Sequence, residues 1–271
     1  ETPSFIIAEI GVNHEGSIDQ CLQMIDRAAE AGANAVKLQT VISDLNYAPG
    51  TESHSVFTAA ELSADETAKA FDHAKSIGIE CFTTCADRPS INLIKSISPS
   101  AWKISSGLLT HLPLIEELAS TKIPILLSTG LATMDEARNA YHTAKSTGNN
   151  DIAIFQCTSI YPCPDSELNI NVIATFRKEF GIPIGFSDHS TGIDAAPLAV
   201  ACGARLIEKH FTLDSSRRGF DHALSLEPSE LKEMISRVRS CELMLGTYEK
   251  ELSVVQEANR KKYLRTISTN K

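Results

Sequence analysis

Short, mostly continuous apolar runs alternate along the chain with amphipathic stretches. The runs lie at 5–11, 35–40, 80–85, 101–106, 124–129, 152–157, 183–188 and 205–211. Continuous apolarity is what strands covered on both faces show, so the runs predict a parallel sheet. Helix signals fall between them. Ser63-Ala64-Asp65-Glu66 and Thr133-Met134-Asp135-Glu136 read as capping boxes, and Gly32, Gly78 and Gly148 stand where helices should end. Stretch 193–202 reads as the helix joining the last two strands, and 229–245 as a closing helix before Gly246. Eight strands, each followed by a helix, is the count of a (β/α)8 TIM barrel, an α/β fold of one domain. An open doubly wound sheet competes, but it carries G-x-G-x-x-G in its first turn; here that turn is Gly11-Val12-Asn13-His14-Glu15-Gly16. The barrel is expected over 1–246 and a polar tail, with Arg260-Lys261-Lys262, over 247–271. Connection 41–63 is long for its place on the catalytic face and reads as a lid.

Composition narrows the class. A chain of 271 residues, 42% hydrophobic and 22% charged, can bury a large single core. A formal net charge of −9 argues against nonspecific nucleic-acid binding and against an anionic membrane surface. No apolar stretch approaches a membrane span and no signal-peptide pattern opens the chain, which starts at Glu1 without Met, as a trimmed sequence would. The seven cysteines (21, 81, 85, 157, 163, 202 and 241) contain no C-x-x-C pair. An odd count without framework spacing predicts free thiols in a reducing cytoplasm rather than a zinc site or a disulfide scaffold.

The chemistry gathers at the strand ends, where a barrel builds its active site. Two histidines follow adjacent runs, in Phe186-Ser187-Asp188-His189 and Ile207-Glu208-Lys209-His210. On neighbouring parallel strands their imidazoles could grip one divalent metal, with Glu208 and Asp188 close by. The other strand ends offer Glu9, Lys37, Thr84, Lys103 with Ser105 and Ser106, Ser128 with Thr129, Thr158 with Ser159, and Ser187. Lys37 and Lys103 interrupt apolar strands, where an unpaired ammonium is costly. Each is either an anion-binding group or half of an ion pair with Glu9 or Glu208. Two ammonium groups ringed by hydroxyls suit a small, multiply charged anion such as one carrying phosphate and carboxylate.

Phe5-Ile6-Ile7-Ala8-Glu9-Ile10-Gly11-Val12-Asn13-His14 and Ala35-Val36-Lys37-Leu38-Gln39-Thr40 resemble the opening of the N-acetylneuraminate (sialic acid) synthase family. So do Leu127-Ser128-Thr129-Gly130, Cys157-Thr158-Ser159-Ile160-Tyr161-Pro162, Phe186-Ser187-Asp188-His189 and Ile207-Glu208-Lys209-His210-Phe211-Thr212-Leu213-Asp214, in the right order. The resemblance implies a (β/α)8 catalytic barrel that condenses phosphoenolpyruvate with an N-acylated hexosamine, typically N-acetylmannosamine, into a nonulosonic acid. It implies a divalent metal, Mn²⁺ or else Mg²⁺ or Co²⁺, on His189 and His210. Lys37, Thr84, Lys103, Ser106, Ser128, Ser159 and Ser187 would then hold phosphoenolpyruvate. Tyr161 and Asp221 would face the sugar, and Glu9 or Glu208 would accept a proton from the attacking water. Glu208 could instead pair with Lys209 or support a histidine, and Asp221 could be a solvated carboxylate.

The chain also departs from the family pattern. Leu108 stands where the family usually has a sugar-contacting glutamate, Cys85-Ala86 replaces Pro-Phe, and Ser159 replaces an Asn of some members. The first change removes a polar sugar contact, so the acceptor is either N-acetylmannosamine or a deoxygenated, diamino relative. The family's small antifreeze-like domain, which reaches across a homodimer, is expected to be missing. A Schiff-base pyruvate aldolase using Lys103 or Lys37, and a non-catalytic sugar-binding barrel, remain as alternatives.

Overall fold

The computed structural model describes residues 2–265. Its strands are β1 (Phe5–Gly11), β2 (Ala35–Gln39), β3 (Glu80–Thr84), β4 (Trp102–Ile104), β5 (Ile125–Ser128), β6 (Ile152–Cys157), β7 (Ile184–Asp188) and β8 (Leu206–His210). They pair in parallel in sequence order, and β8 closes on β1. The fold is the TIM barrel that the apolar runs predict. The fourth run is shorter than expected, because Ser106–Leu108 turns away as a single 3-10 turn.

Alternation along each strand sorts its side chains. Ile6, Ala8, Val36, Trp102, Leu127, Phe186 and Ile207 face outward and pack with Met24, Ile25, Phe71, Leu118 and Leu231 of the helical shell. The inward positions form a separate plug of Ile7, Ala35, Phe82, Ala101, Leu126, Ala153 and Phe155. Phe155 has room because β7 offers Gly185 beside it; a Cβ there would lie 2.5 Å from the ring. One residue pair further along the strands, the inward positions turn polar, and the site begins.

Both capping boxes form, at Ser63/Glu66 and Thr133/Glu136. Gly32 and Gly78 end helices Ile18–Ala31 and Ala64–Ile77 in the left-handed conformation that glycine adopts without strain. The connection after β2 is helical, with Ser43–Asn46 and Glu52–Ala60 folded over the barrel mouth. The closing helix Pro228–Leu245 packs on helices Ala195–Ala201 and Ile18–Ala31. Beyond it, helix Val254–Tyr263 is exposed along its described side chains; positions 266–271 of the expected tail lie outside the described residues. Among the described residues no helix is long and apolar enough to cross a membrane.

Candidate active site

A cavity of about 380 Å³ opens at the C-terminal mouth of the barrel, within the range of small-ligand sites. Four charged side chains from four strands form its floor. Lys37 Nζ lies 2.8 Å from Glu9 Oε2 and 3.8 Å from Glu208 Oε1. Glu208 Oε2 accepts a hydrogen bond from Lys103, and its Oε1 accepts one from Ser187 Oγ at 2.9 Å. All four are at most 5% exposed. The ion pairs foreseen as the alternative for the lysines therefore do form. They leave each ammonium further N–H donors to offer to an anion above. Glu208 does not pair with Lys209; alternation turns the two residues to opposite faces of β8.

Burial acts unequally on these groups. It lifts the Glu9 carboxyl to about 7, outweighing Lys37, with Glu208 adding to the rise. At Glu208 burial pulls the same way, but Lys103 and Lys37 together hold the carboxyl down at about 2. Burial lowers the Lys103 ammonium more than Glu208 raises it. At Lys37 burial is overcome by Glu208 and Glu9, and the ammonium is strengthened. One carboxylate is thus locked as an anion, and its neighbour is poised to exchange a proton near neutrality.

The two histidines meet beside this floor, with ring centroids 5.5 Å apart. His189 Nδ1 lies 2.7 Å from the Thr158 carbonyl oxygen, so it carries the proton and leaves Nε2 as an electron-pair donor. His210 Nδ1 is buried without a hydrogen-bond partner, 3.6 Å from Asp221 Oδ2. Burial holds both imidazoles neutral, and at His210 the neighbouring His189 adds to the effect. Neutral imidazoles, one with an orphaned buried nitrogen, fit a divalent ion whose remaining ligands are water and substrate oxygens. Among the described residues no third His, Cys, Asp or Glu converges to complete an all-protein site. Asp188, expected near the metal, points the other way, to the outer face of β7, and pairs with Lys209.

Thr84, Ser106, Ser128 and Ser187 line the cavity as expected. Thr84 Oγ1 is buried and unpartnered, a donor with nothing yet to bind. Ser106 Oγ accepts the Gly130 N–H at 2.9 Å. Ser159 is not among the lining residues; its hydroxyl sits behind Gly130, where an added Cβ would come within 2.5 Å of it. On the sugar side the Tyr161 ring stacks on His189 at 4.2 Å and meets His210 edge-on at 6.0 Å. Asp221, expected there, is about a quarter exposed beside His210, is not among the cavity's lining residues, and has its carboxyl raised by burial. Asn13 holds it by accepting its backbone N–H at 3.0 Å while donating to the Phe211 carbonyl and Ser225 Oγ.

Several lining residues were not expected at the site itself, although Tyr47 lies in connection 41–63, which reads as a lid. Gln39 donates to Glu9 Oε1 at 3.0 Å; it lies two positions past Lys37, so strand parity alone would have found it. Tyr47 and Phe57 stack at 4.6 Å and join Val41, Ala86 and Leu108 in an apolar outer wall. Nothing in the pattern marks Phe57, whose helix covers the site only through tertiary packing.

The NeuB family model matches residues 24–250. The chain belongs to the NeuB family. An uncharacterised protein from Methanocaldococcus jannaschii is 40% identical over 263 residues, covering 95% of this chain and 78% of its own length. The N,N'-diacetyllegionaminic acid synthase of Legionella pneumophila is 37% identical over 267 residues, covering 92% and 75%. The crystal structure of N-acetylneuraminic acid (sialic acid) synthetase from Leptospira borgpetersenii, in complex with citrate, superposes with a TM-score of 0.92 at 33% identity, covering 98% of this chain and 94% of that one.

Proposed function

We propose that this NeuB barrel condenses phosphoenolpyruvate with the open-chain form of an N-acylated hexosamine, releasing phosphate and forming a nonulosonic acid. Two buried ammonium groups and two neutral imidazoles facing one cavity carry this reading: the first pair suits a phosphate and a carboxylate, the second a metal. The named NeuB relatives, synthases of such acids, support it. Bound at His189 and His210, a divalent ion such as Mn²⁺ would supply Lewis acidity to the acceptor's carbonyl oxygen.

The chain's own residues do the rest. Lys37 and Lys103 hold the phosphate and carboxylate, aided by hydroxyls of Thr84, Ser106, Ser128 and Ser187. Tyr161 and Asp221 orient the sugar so that carbon 3 of phosphoenolpyruvate faces the aldehyde carbon. As the new C–C bond forms, the carbonyl pair passes to oxygen, which takes a proton from Glu9. Water then adds at carbon 2 and returns a proton to Glu9. The carbon 2–oxygen bond to phosphate breaks as the new hydroxyl passes its proton to the departing phosphate oxygen, and the keto acid and hydrogen phosphate leave. Glu208, near 2, remains ionised throughout and holds the two lysines in place.

The outer wall of Val41, Tyr47, Phe57, Ala86 and Leu108 bounds the distal end of the acceptor. A phosphate dianion there would lose water without gaining a partner. This supports an unphosphorylated acceptor, and the proposal takes it to be a deoxygenated, diamino acyl hexosamine in preference to N-acetylmannosamine. Phosphate release with a panel of acceptors tests this. The account expects kcat/KM to fall at least tenfold on 6-phosphorylation; a preference for the phosphorylated sugar would overturn it. The lowered Lys103 amine is the one observation favouring Schiff-base chemistry; borohydride trapping of a pyruvate adduct would establish that reading.

A further inference from the structure

We infer that Asp188, Ser190 and Lys209 are positioning residues: they form a clamp on the outer face of β7 and β8 that sets the spacing of His189 and His210 for the metal. The inference rests on the metal reading proposed above. Asp188 and Lys209 are register partners on adjacent strands, and each histidine is the next residue in the chain, His189 just past β7 and His210 at the end of β8. Both members of the pair are 0% exposed. Lys209 Nζ donates to Asp188 Oδ2 at 2.9 Å and to the Ser190 carbonyl at 2.5 Å. Asp188 Oδ1 in turn accepts the Ser190 N–H at 2.9 Å and its hydroxyl at 2.6 Å. The bonds from Lys209 and Asp188 therefore reach across His189 to Ser190, on the far side of it in the chain. They tie the turn that carries one imidazole to the strand that carries the other.

The neighbouring outward pair, Phe186 and Ile207, performs the same packing task with apolar side chains. An apolar pair at 188 and 209 could fill the shell too, since a buried ion pair is often no more stabilising than a hydrophobic replacement of similar volume. What the ion pair adds is direction. Four bonds of fixed geometry restrict the His189 turn in a way that packing alone does not, and groups that support metal ligands commonly govern affinity.

Mn²⁺ affinity, read from free Mn²⁺ by electron paramagnetic resonance, tests the clamp without recourse to turnover. The double variant Asp188→Asn/Lys209→Met removes both charges and leaves neither one unpaired. It is expected to keep the wild-type thermal midpoint within a few degrees while its Mn²⁺ Kd rises about 10–100-fold. Ser190→Ala, which keeps the ion pair, should raise Kd several-fold and decides the matter if the double variant does not fold. A folded double variant with the wild-type Kd would overturn the clamp, as would an unfolded one accompanied by an unaltered Ser190→Ala. His210→Ala separates the two levels: if wild-type protein binds no Mn²⁺, or His210→Ala binds it equally well, the metal reading fails and the clamp has nothing to position.

Discussion

Glu9 and Glu208 are the same side chain in the same buried floor, and their neighbours push them to opposite ends of the carboxylate range. Glu208 touches one ammonium and lies near a second; Glu9 has one ion pair and an amide. The proposed mechanism therefore gives the proton shuttle to Glu9. Glu9→Gln is expected to lower kcat about 10²–10⁴-fold with little change in the KM for phosphoenolpyruvate, as steady-state kinetics would show. Lys37→Ala should act in the other sense, raising that KM far more than the sugar's. His14 gives a prediction about stability. Its imidazole is 1% exposed, and burial lowers its pKa to about 4 from 6.5. The unfolded chain thus binds a proton between these values that the folded chain refuses. The stabilisation is full above pH 6.5 and is lost as pH falls toward 4. Between pH 7 and 5 the loss is about 2 kcal/mol. Urea unfolding should show this extra loss in wild-type protein and not in His14→Gln; equal losses would contradict it.

At the scale of elements, the strands decide what reaches the cavity, and two glycines leave room for it. Gly185→Ala would drive a methyl into the Phe155 ring, over which Lys103 Nζ sits 4.6 Å from the centroid. A loss of about 1–3 kcal/mol in chemical denaturation is expected, with weaker phosphoenolpyruvate binding. Gly130→Ala would place a methyl 2.8 Å from Ser106 Oγ and should raise the same KM. These elements also mark where sequence reading succeeds. Glu9, Lys37, Lys103, Ser187, His189, Glu208 and His210 were legible because a charged or hydrogen-bonding residue at the end of an apolar run has few places to go. The wrong face for Asp188 came from the same feature that revealed the strand. When both faces are buried, apolarity is continuous and the pattern does not say which residues point inward; Lys209, on the outward face, then became a false partner for Glu208. The length of 41–63 marks it as a lid, but its helices and the Tyr47–Phe57 stack were illegible for a different reason, since they depend on packing against a mouth the chain has yet to build.

At the scale of the whole molecule, the barrel is stacked in levels: an apolar plug around Phe155, a floor of two acids and two lysines, then imidazoles and hydroxyls under a partly aromatic roof. The plug keeps water from beneath the charged floor, so each ammonium is neutralised by a carboxylate and remains directed upward by the strand that carries it. Metal removal should therefore spare the fold while ending activity, and His189→Ala and His210→Ala should each keep the wild-type thermal midpoint within a few degrees. The most direct measurement is phosphate release from phosphoenolpyruvate by wild-type protein, with and without Mn²⁺ and an N-acylated diamino-deoxyhexose. The account predicts release only when both are present, abolished by EDTA and by either histidine substitution. Release that ignores the sugar, or survives EDTA and both substitutions, would contradict it.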